Sequence, residues 1–207
     1  TQTTRGLSIS WNVFRDNALD PAIKSTAKNS FSFKLSPYAL VANSEYRVRL
    51  TATQLTTLAS ASMSVTLIVE RGDLIVVVNG GADQSARMDE LAIFDASSSF
   101  DEDKDGLTGL NAGLEYTFTC SQIEPLAEEC QYIEFDDKSY INEDNTAGFS
   151  SKLYFTTKNT DANAIGSISQ LNVEIRDPVT YRTATGFTRV TAKSTETALV
   201  TISDNSV

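Results

Sequence analysis

Leu91-Ala92-Ile93-Phe94-Asp95-Ala96-Ser97-Ser98-Ser99-Phe100-Asp101-Glu102-Asp103-Lys104-Asp105-Gly106 is followed shortly by Leu114-Glu115-Tyr116-Thr117-Phe118-Thr119-Cys120. A hydrophobic run enters a Ser/Asp turn made of poor helix formers, and an alternating run leaves it. That succession predicts the corner of a β-sandwich, where the chain leaves one sheet and enters the next.

The same alternation extends outward in both directions. Leu7-Ser8-Ile9-Ser10-Trp11 and Ser30-Phe31-Ser32-Phe33-Lys34-Leu35 carry the period-two pattern of strands covered on one face. Tyr46, Val48, Leu50 and Ala52 share a face opposite Arg47, Arg49 and Thr51. Met63, Val65, Leu67 and Val69 form a matching face set for a pairing partner. Leu74 to Val78 predicts a further strand, and Tyr132-Ile133-Glu134-Phe135, Ser151 to Thr156 and Leu171 to Ile175 predict others. Thr188 to Thr191 and Ala198 to Ile202 read as a closing hairpin. Ser139 to Gly148 reads as a long acidic loop, and helical periodicity is confined to a turn at Ala18 to Lys28.

The expected fold class is therefore all-β, with immunoglobulin-like or fibronectin-like antiparallel sandwiches. A chain of 207 residues exceeds the roughly 100 that one such sandwich needs, which predicts two in tandem. The polar, turn-prone Glu70-Arg71-Gly72-Asp73 sets the expected boundary, giving domains at 1–70 and 71–207. Hydrophobic residues make up 41% of the chain and are spread along its length, enough for a sizeable core.

Composition removes several function classes. A formal charge of −10 leaves no basic stripe for nucleic acid or an anionic leaflet. No apolar run approaches the roughly 20 residues of a membrane span. The start, Thr1-Gln2-Thr3-Thr4-Arg5, lacks a Met and a signal-like hydrophobic stretch, the expectation for a piece of something longer. With no histidine, Ser-His-Asp and Cys-His catalysis and histidine-ligated zinc drop out. No serine stands in a Gly-x-Ser-x-Gly elbow, and Asn79-Gly80-Gly81 lacks the remainder of a phosphate loop and reads as a turn. A carboxylate glycosidase needs two facing acids about 5–10 Å apart, and no pair is nominated.

Cys120 and Cys130, the only cysteines, flank a turn-prone acidic segment containing Pro125. A local disulfide is the favoured reading over two reduced core thiols, because the intervening charges belong on a surface. Such a bond implies an extracellular or lumenal setting. No Asn-x-Ser/Thr acceptor occurs, which leaves only O-linked sugar open.

Two motifs carry binding chemistry. Arg71-Gly72-Asp73 is the tripeptide displayed by many integrin ligands, and its position favours a structural turn. Asp101, Asp103, Asp105 and Gly106 repeat the opening of an EF-hand calcium loop, but its twelfth position is Ala112 where a bidentate Glu is required. A looser calcium site on Asp101, Asp103 and Asp105 stands against a solvated acidic turn bonded to its own backbone, and the missing ligand favours the latter.

Phe94-Asp95-Ala96-Ser97-Ser98-Ser99-Phe100-Asp101 with Leu114-x-Tyr116-x-Phe118-x-Cys120 resembles the Asp-Ala-Ser-x-Ser-x-Asp and Leu-x-Tyr-x-Trp-x-Cys signature of PKD repeats and of the REJ region of polycystin-like ectodomains, the cysteine favouring the REJ version. The resemblance covers residues 35 to 132; it departs at Phe118, usually Trp, and at Glu102, often Pro. It implies an extracellular, non-catalytic module with a mechanical, adhesive or assembly role in a surface protein or filament. Its expected partners are other protein domains or identical subunits, reached by strand addition at an exposed edge.

Overall fold

The computed structural model describes residues 3–4, 6–141 and 148–198. The chain is nearly all β and divides into two units, Thr1–Gly72 and Asp73–Val207. No helix among the described residues is long and apolar enough to cross a membrane.

The first unit holds strands β1 (Thr3–Thr4), β2 (Leu7–Arg15), β3 (Ala18–Leu19), β4 (Ser44–Gln54) and β5 (Ser60–Val69). They form one antiparallel sheet in the order β1-β2-β4-β5, with β3 on β2. Alternation places apolar residues in register: Val13 faces Val48, which faces Val65, and Trp11 faces Leu50, which faces Met63. Buried Val13, Tyr46 and Val48 form the core, covered by Ile23, Phe33 and Leu40 from the connection between β3 and β4.

That connection is where alternation misleads. The expected Ser30–Leu35 strand is an irregular segment, and the expected helical turn at 18–28 is β3 followed by a turn and irregular backbone. Pro21 and Pro37 withhold backbone donors, and Tyr38 and Asn43 lie at positive φ (56° and 58°), so no regular second ladder forms here. Side chains hold the cover instead. Trp11 donates its indole N–H to the Ser30 carbonyl at 2.8 Å and packs on the Phe33 ring, centroids 5.2 Å apart. The Val41 N–H donates to the Tyr46 hydroxyl at 3.0 Å.

The second unit is a two-layer sandwich. One sheet has the order β10-β13-β14-β7, from β10 (Glu115–Glu124), β13 (Ile168–Arg176), β14 (Thr183–Lys193) and β7 (Asp83–Arg87). The other is β11-β12-β8, from β11 (Ile133–Phe135), β12 (Lys152–Thr157) and β8 (Leu91–Asp95). A short pair, β6 (Leu74–Ile75) with β9 (Phe100–Asp101), closes one end. The quoted stretch indeed turns the corner, since β8 and β10 lie in different sheets. Between them sit Phe94, Leu153 and Phe155 from one layer and Tyr116, Phe118, Leu171, Val173, Ile175 and Val190 from the other. The Phe94 and Phe118 rings meet edge-on, 5.5 Å apart.

One further expectation is corrected. The Leu74–Val78 strand is only two residues long, because Val76 and Val78 leave the ladder to pack on the core. Of the hairpin expected from Thr188–Thr191 with Ala198–Ile202, the second run falls almost wholly outside the described residues, and within them β14 pairs with β13 on one flank and, in parallel, with β7 on the other. Leu199–Ile202 and most of the 139–148 loop lie outside the described residues.

Candidate functional site

The acidic turn after β9 leads into a buried cluster of charged side chains in the second unit. Asp101 ends β9 and is 0% exposed. Its Oδ1 accepts the Asp103 N–H at 3.0 Å, an Asx turn that bends the chain, and its Oδ2 lies 2.8 Å from Arg182 Nη2. Arg182 opens onto β14 from the β13–β14 turn, whose first residue, Asp177, is equally buried. Asp177 accepts from the Val179 N–H at 2.9 Å and the Thr180 hydroxyl at 3.0 Å, and lies 3.4 Å from Arg182 Nη2. Arg182 Nη1 reaches Asp103 at 3.3 Å. Lys104 lies 3.7 Å from Asp101 and 3.9 Å from Asp177 and donates to the Ala112 carbonyl.

Three carboxylates thus share two cations, and the two buried ones, Asp101 and Asp177, also accept bonds from local backbone N–H groups, the condition under which buried charge is tolerated. Burial pushes the Asp177 carboxyl up, but the Val179 and Thr180 bonds and the Lys104 charge outweigh it and hold it below the usual carboxylate range. Burial likewise opposes the charge on Arg182, and its bond to Asp101 and the charges of Asp101, Asp103 and Asp177 overcome that and raise its pKa.

Of the three residues singled out for calcium, Asp101 and Asp103 therefore converge on a guanidinium, and Asp105 is exposed and outside the cluster. Among the described residues no group of three or more His, Cys, Asp or Glu is arranged to hold a metal ion. Asp177 and Arg182 were missed by sequence reasoning. Asp177-Pro178 marks a turn, but nothing local announces that its arginine crosses to a residue 81 positions earlier.

A second staple sits on β10. Cys120 and Cys130 are disulfide-bonded, with Cα atoms 5.7 Å apart. Beside the bond, buried Gln122 donates to the carbonyls of Glu124 and Ile168, both at 3.0 Å, and accepts from the Ser169 hydroxyl at 2.9 Å. All of its amide capacity but one lone pair is used to bind the loop onto β13. Elsewhere, Asp95 accepts the Ser97 N–H at 2.9 Å and pairs with Lys152 at 3.7 Å.

Arg71 and Asp73 are exposed, and the Asp73 backbone is tied to Glu102 by two bonds, 2.9 and 3.1 Å. Two hollows in the second unit, of 310 and 230 Å³, are lined by Lys138, Ile141, Ser150, Lys152 and Tyr154, and by Ser97, Thr108, Gly109, Leu110, Asn111, Ser151 and Lys152. Neither is lined by a carboxylate.

Fold and staples together define an all-β, disulfide-bonded protein whose buried charges are neutralised from within. The chain belongs to the REJ domain family, whose model matches residues 1–206. No curated protein matches it significantly. Among solved structures it is similar to chicken VE-cadherin EC1-2, at 12% identity and a TM-score of 0.35, covering 95% of this chain and 87% of that one. Human protocadherin-24 EC1-2 is similar at 12% identity and a TM-score of 0.34, covering 89% and 81%. An endo-fucoidan hydrolase of glycoside hydrolase family 107 is similar at 12% and 0.34, covering 92% of this chain and 24% of that one. Scores this low bear on neither function nor mechanism.

Proposed function

We propose that this chain is a non-enzymatic extracellular module, a spacer, adhesion element or assembly subunit of a cell-surface protein or extracellular filament. The observation that carries the reading is the closed ionic cluster: Asp101 and Asp177, the buried carboxylates of the second unit, are bound to Arg182 and Lys104. An acid committed to a guanidinium in this way is neither a proton donor nor a nucleophile, and its role is to clamp two turns together. The disulfide supports the extracellular part, since such bonds persist in oxidising compartments. REJ family membership and the filled sandwich interior agree with a structural role.

The test is made on protein recovered from its native source with thiols blocked at lysis. Peptide mapping is expected to find Cys120 and Cys130 joined in essentially all molecules, with the protein at the cell exterior. Alkylated free thiols in an intracellular fraction overturn the extracellular reading. Turnover of a polysaccharide panel that is abolished by Asp→Asn substitution overturns the non-enzymatic one.

A further inference from the structure

The sheet edges of the two units differ in how they are protected. β1 has two residues and β11 three. β7 carries Asp83 and Arg87, β8 ends in Asp95, and β10 carries Glu115 and Glu124. β5 has none of the devices that blunt an edge. Its ten residues, Ser-Ala-Ser-Met-Ser-Val-Thr-Leu-Ile-Val, contain no charge, proline or glycine. Its register with β4 runs without a bulge from Ser44 opposite Val69 to Thr53 opposite Ser60. Among the described residues it pairs with β4 alone. It also exposes apolar side chains on both faces, with Met63 at 72%, Val65 at 54% and Ile68 at 75%.

We infer that this edge is a homotypic contact, in which β5 of one copy pairs antiparallel with β5 of a second copy. The backbone says how. Gln54 donates its N–H to the Ala59 carbonyl at 2.9 Å, and these residues continue the β4–β5 register. Bonded pairs alternate along an antiparallel ladder, so Ala61, Met63, Val65 and Leu67 direct their N–H and C=O groups at β4. The outward groups belong to Ser60, Ser62, Ser64, Thr66 and Ile68. Two copies that satisfy those groups mutually must set even residues opposite even ones, and therefore odd opposite odd. Met63 and Val65 then meet the Met63, Val65 and Leu67 row of the other copy on one side of a continuous sheet, about a two-fold axis.

Charge selects the same occupant. An uncharged strand meets itself without like charges in opposition, whereas a charged peptide would find no counter-charge along β5. A ten-residue edge is about 34 Å long and a sheet layer about 10 Å thick, so pairing buries roughly 700 Å² in total. That is below the ~1,200 Å² of stable complexes, which makes the contact weak between free molecules and effective between copies held on one surface. The inference deepens the structural role proposed above, which stands without it.

The test is sedimentation velocity of the full chain from about 10 µM to about 1 mM, where an interface this small associates. A reversible dimer is expected for the natural chain. Because each copy carries a net charge of −10, association is expected to strengthen with added salt. Ser64→Pro removes an outward donor without touching the β4 ladder, and Met63→Lys puts a charge on a mostly exposed position. Both are expected to weaken association at least tenfold while keeping the natural far-UV spectrum and melting temperature. If Ser64→Pro unfolds, Met63→Lys decides alone. A chain that stays monomeric throughout, a dimer that salt weakens, or a dimer indifferent to the variants overturns the inference. None of these results touches the disulfide and localisation test of the module reading.

Discussion

The Arg182 guanidinium stands 2.8 Å from the carboxylate of Asp101 across a separation of 81 residues, and the carboxylate is wholly buried. It ties the turn after β9 to the turn between β13 and β14, closing one end of the second sandwich.

Breaking that pair from one side leaves the buried Asp101 and Asp177 with Lys104, 3.7 and 3.9 Å away, as their remaining cation. Arg182→Met is expected to destabilise the second unit by about 3–5 kcal/mol, read as a lower urea midpoint at neutral pH. Adding Asp101→Asn to the same chain removes one of those buried charges and is expected to restore part of the loss. A double variant as unstable as the sum of its singles would show that the two residues act independently.

Asp177 makes the stability depend on acid. Its carboxyl titrates below its ordinary value of 3.8 in the folded chain, so the unfolded chain takes up the proton first as pH falls. The stabilisation is present in full above the unfolded value and is lost as pH drops from there through the folded value. Asp95 shifts in the same direction, with burial opposed by its bonds from Ser97 and the Lys152 charge. Denaturation midpoints at neutral pH and at successive values below about pH 4 are expected to fall, and Asp177→Asn to flatten that fall. An equal slope in the variant would remove Asp177 from the account.

The disulfide closes a short loop, with its cysteines ten positions apart. Replacing both by serine is expected to cost about 2–3 kcal/mol in the chain-entropy account, measured by thermal unfolding of the second unit. Gln122, bonded to the backbone on both sides of that loop, is expected to keep the loop in place at moderate temperature.

Gly186 lies in the middle of β14, opposite Val173, where a Cβ would come within 2.5 Å of Val76 Cγ1. Gly186→Ala is therefore expected to destabilise by about 1–3 kcal/mol through overpacking, despite the better strand propensity of alanine. Val76→Ala in the same chain vacates the contested space. The double variant is expected to be more stable than Gly186→Ala alone, and the thermal midpoints of the four chains form the cycle that checks it.

Arg182 lies 2.8 Å from Asp101 and 3.3 Å from Asp103 and already supplies positive charge to both. Millimolar calcium against chelator is accordingly expected to leave the melting temperature of the natural chain unchanged. An upward shift with calcium would restore the metal reading of Asp101, Asp103 and Asp105.

Alternation alone determined the layers of this protein. Tyr116, Phe118, Leu171 and Ile175 are readable as inward-facing because a strand turns every second side chain to the same face, whatever its partner. The two cysteines were legible for a similarly local reason, since their closeness in sequence brings them within reach. The remainder depends on meetings between segments distant in the chain. Ser30 to Leu35 alternates as a strand does, yet it has no ladder to join and becomes an irregular cover held by Trp11 and Tyr46. The parallel seat of β7 on β14 leaves no trace in either segment. Nothing in the sequence around Asp101 says that Arg182 will stand beside it. A charge carries no record in its own neighbourhood of which distant charge will neutralise it, and only the folded chain supplies that partner.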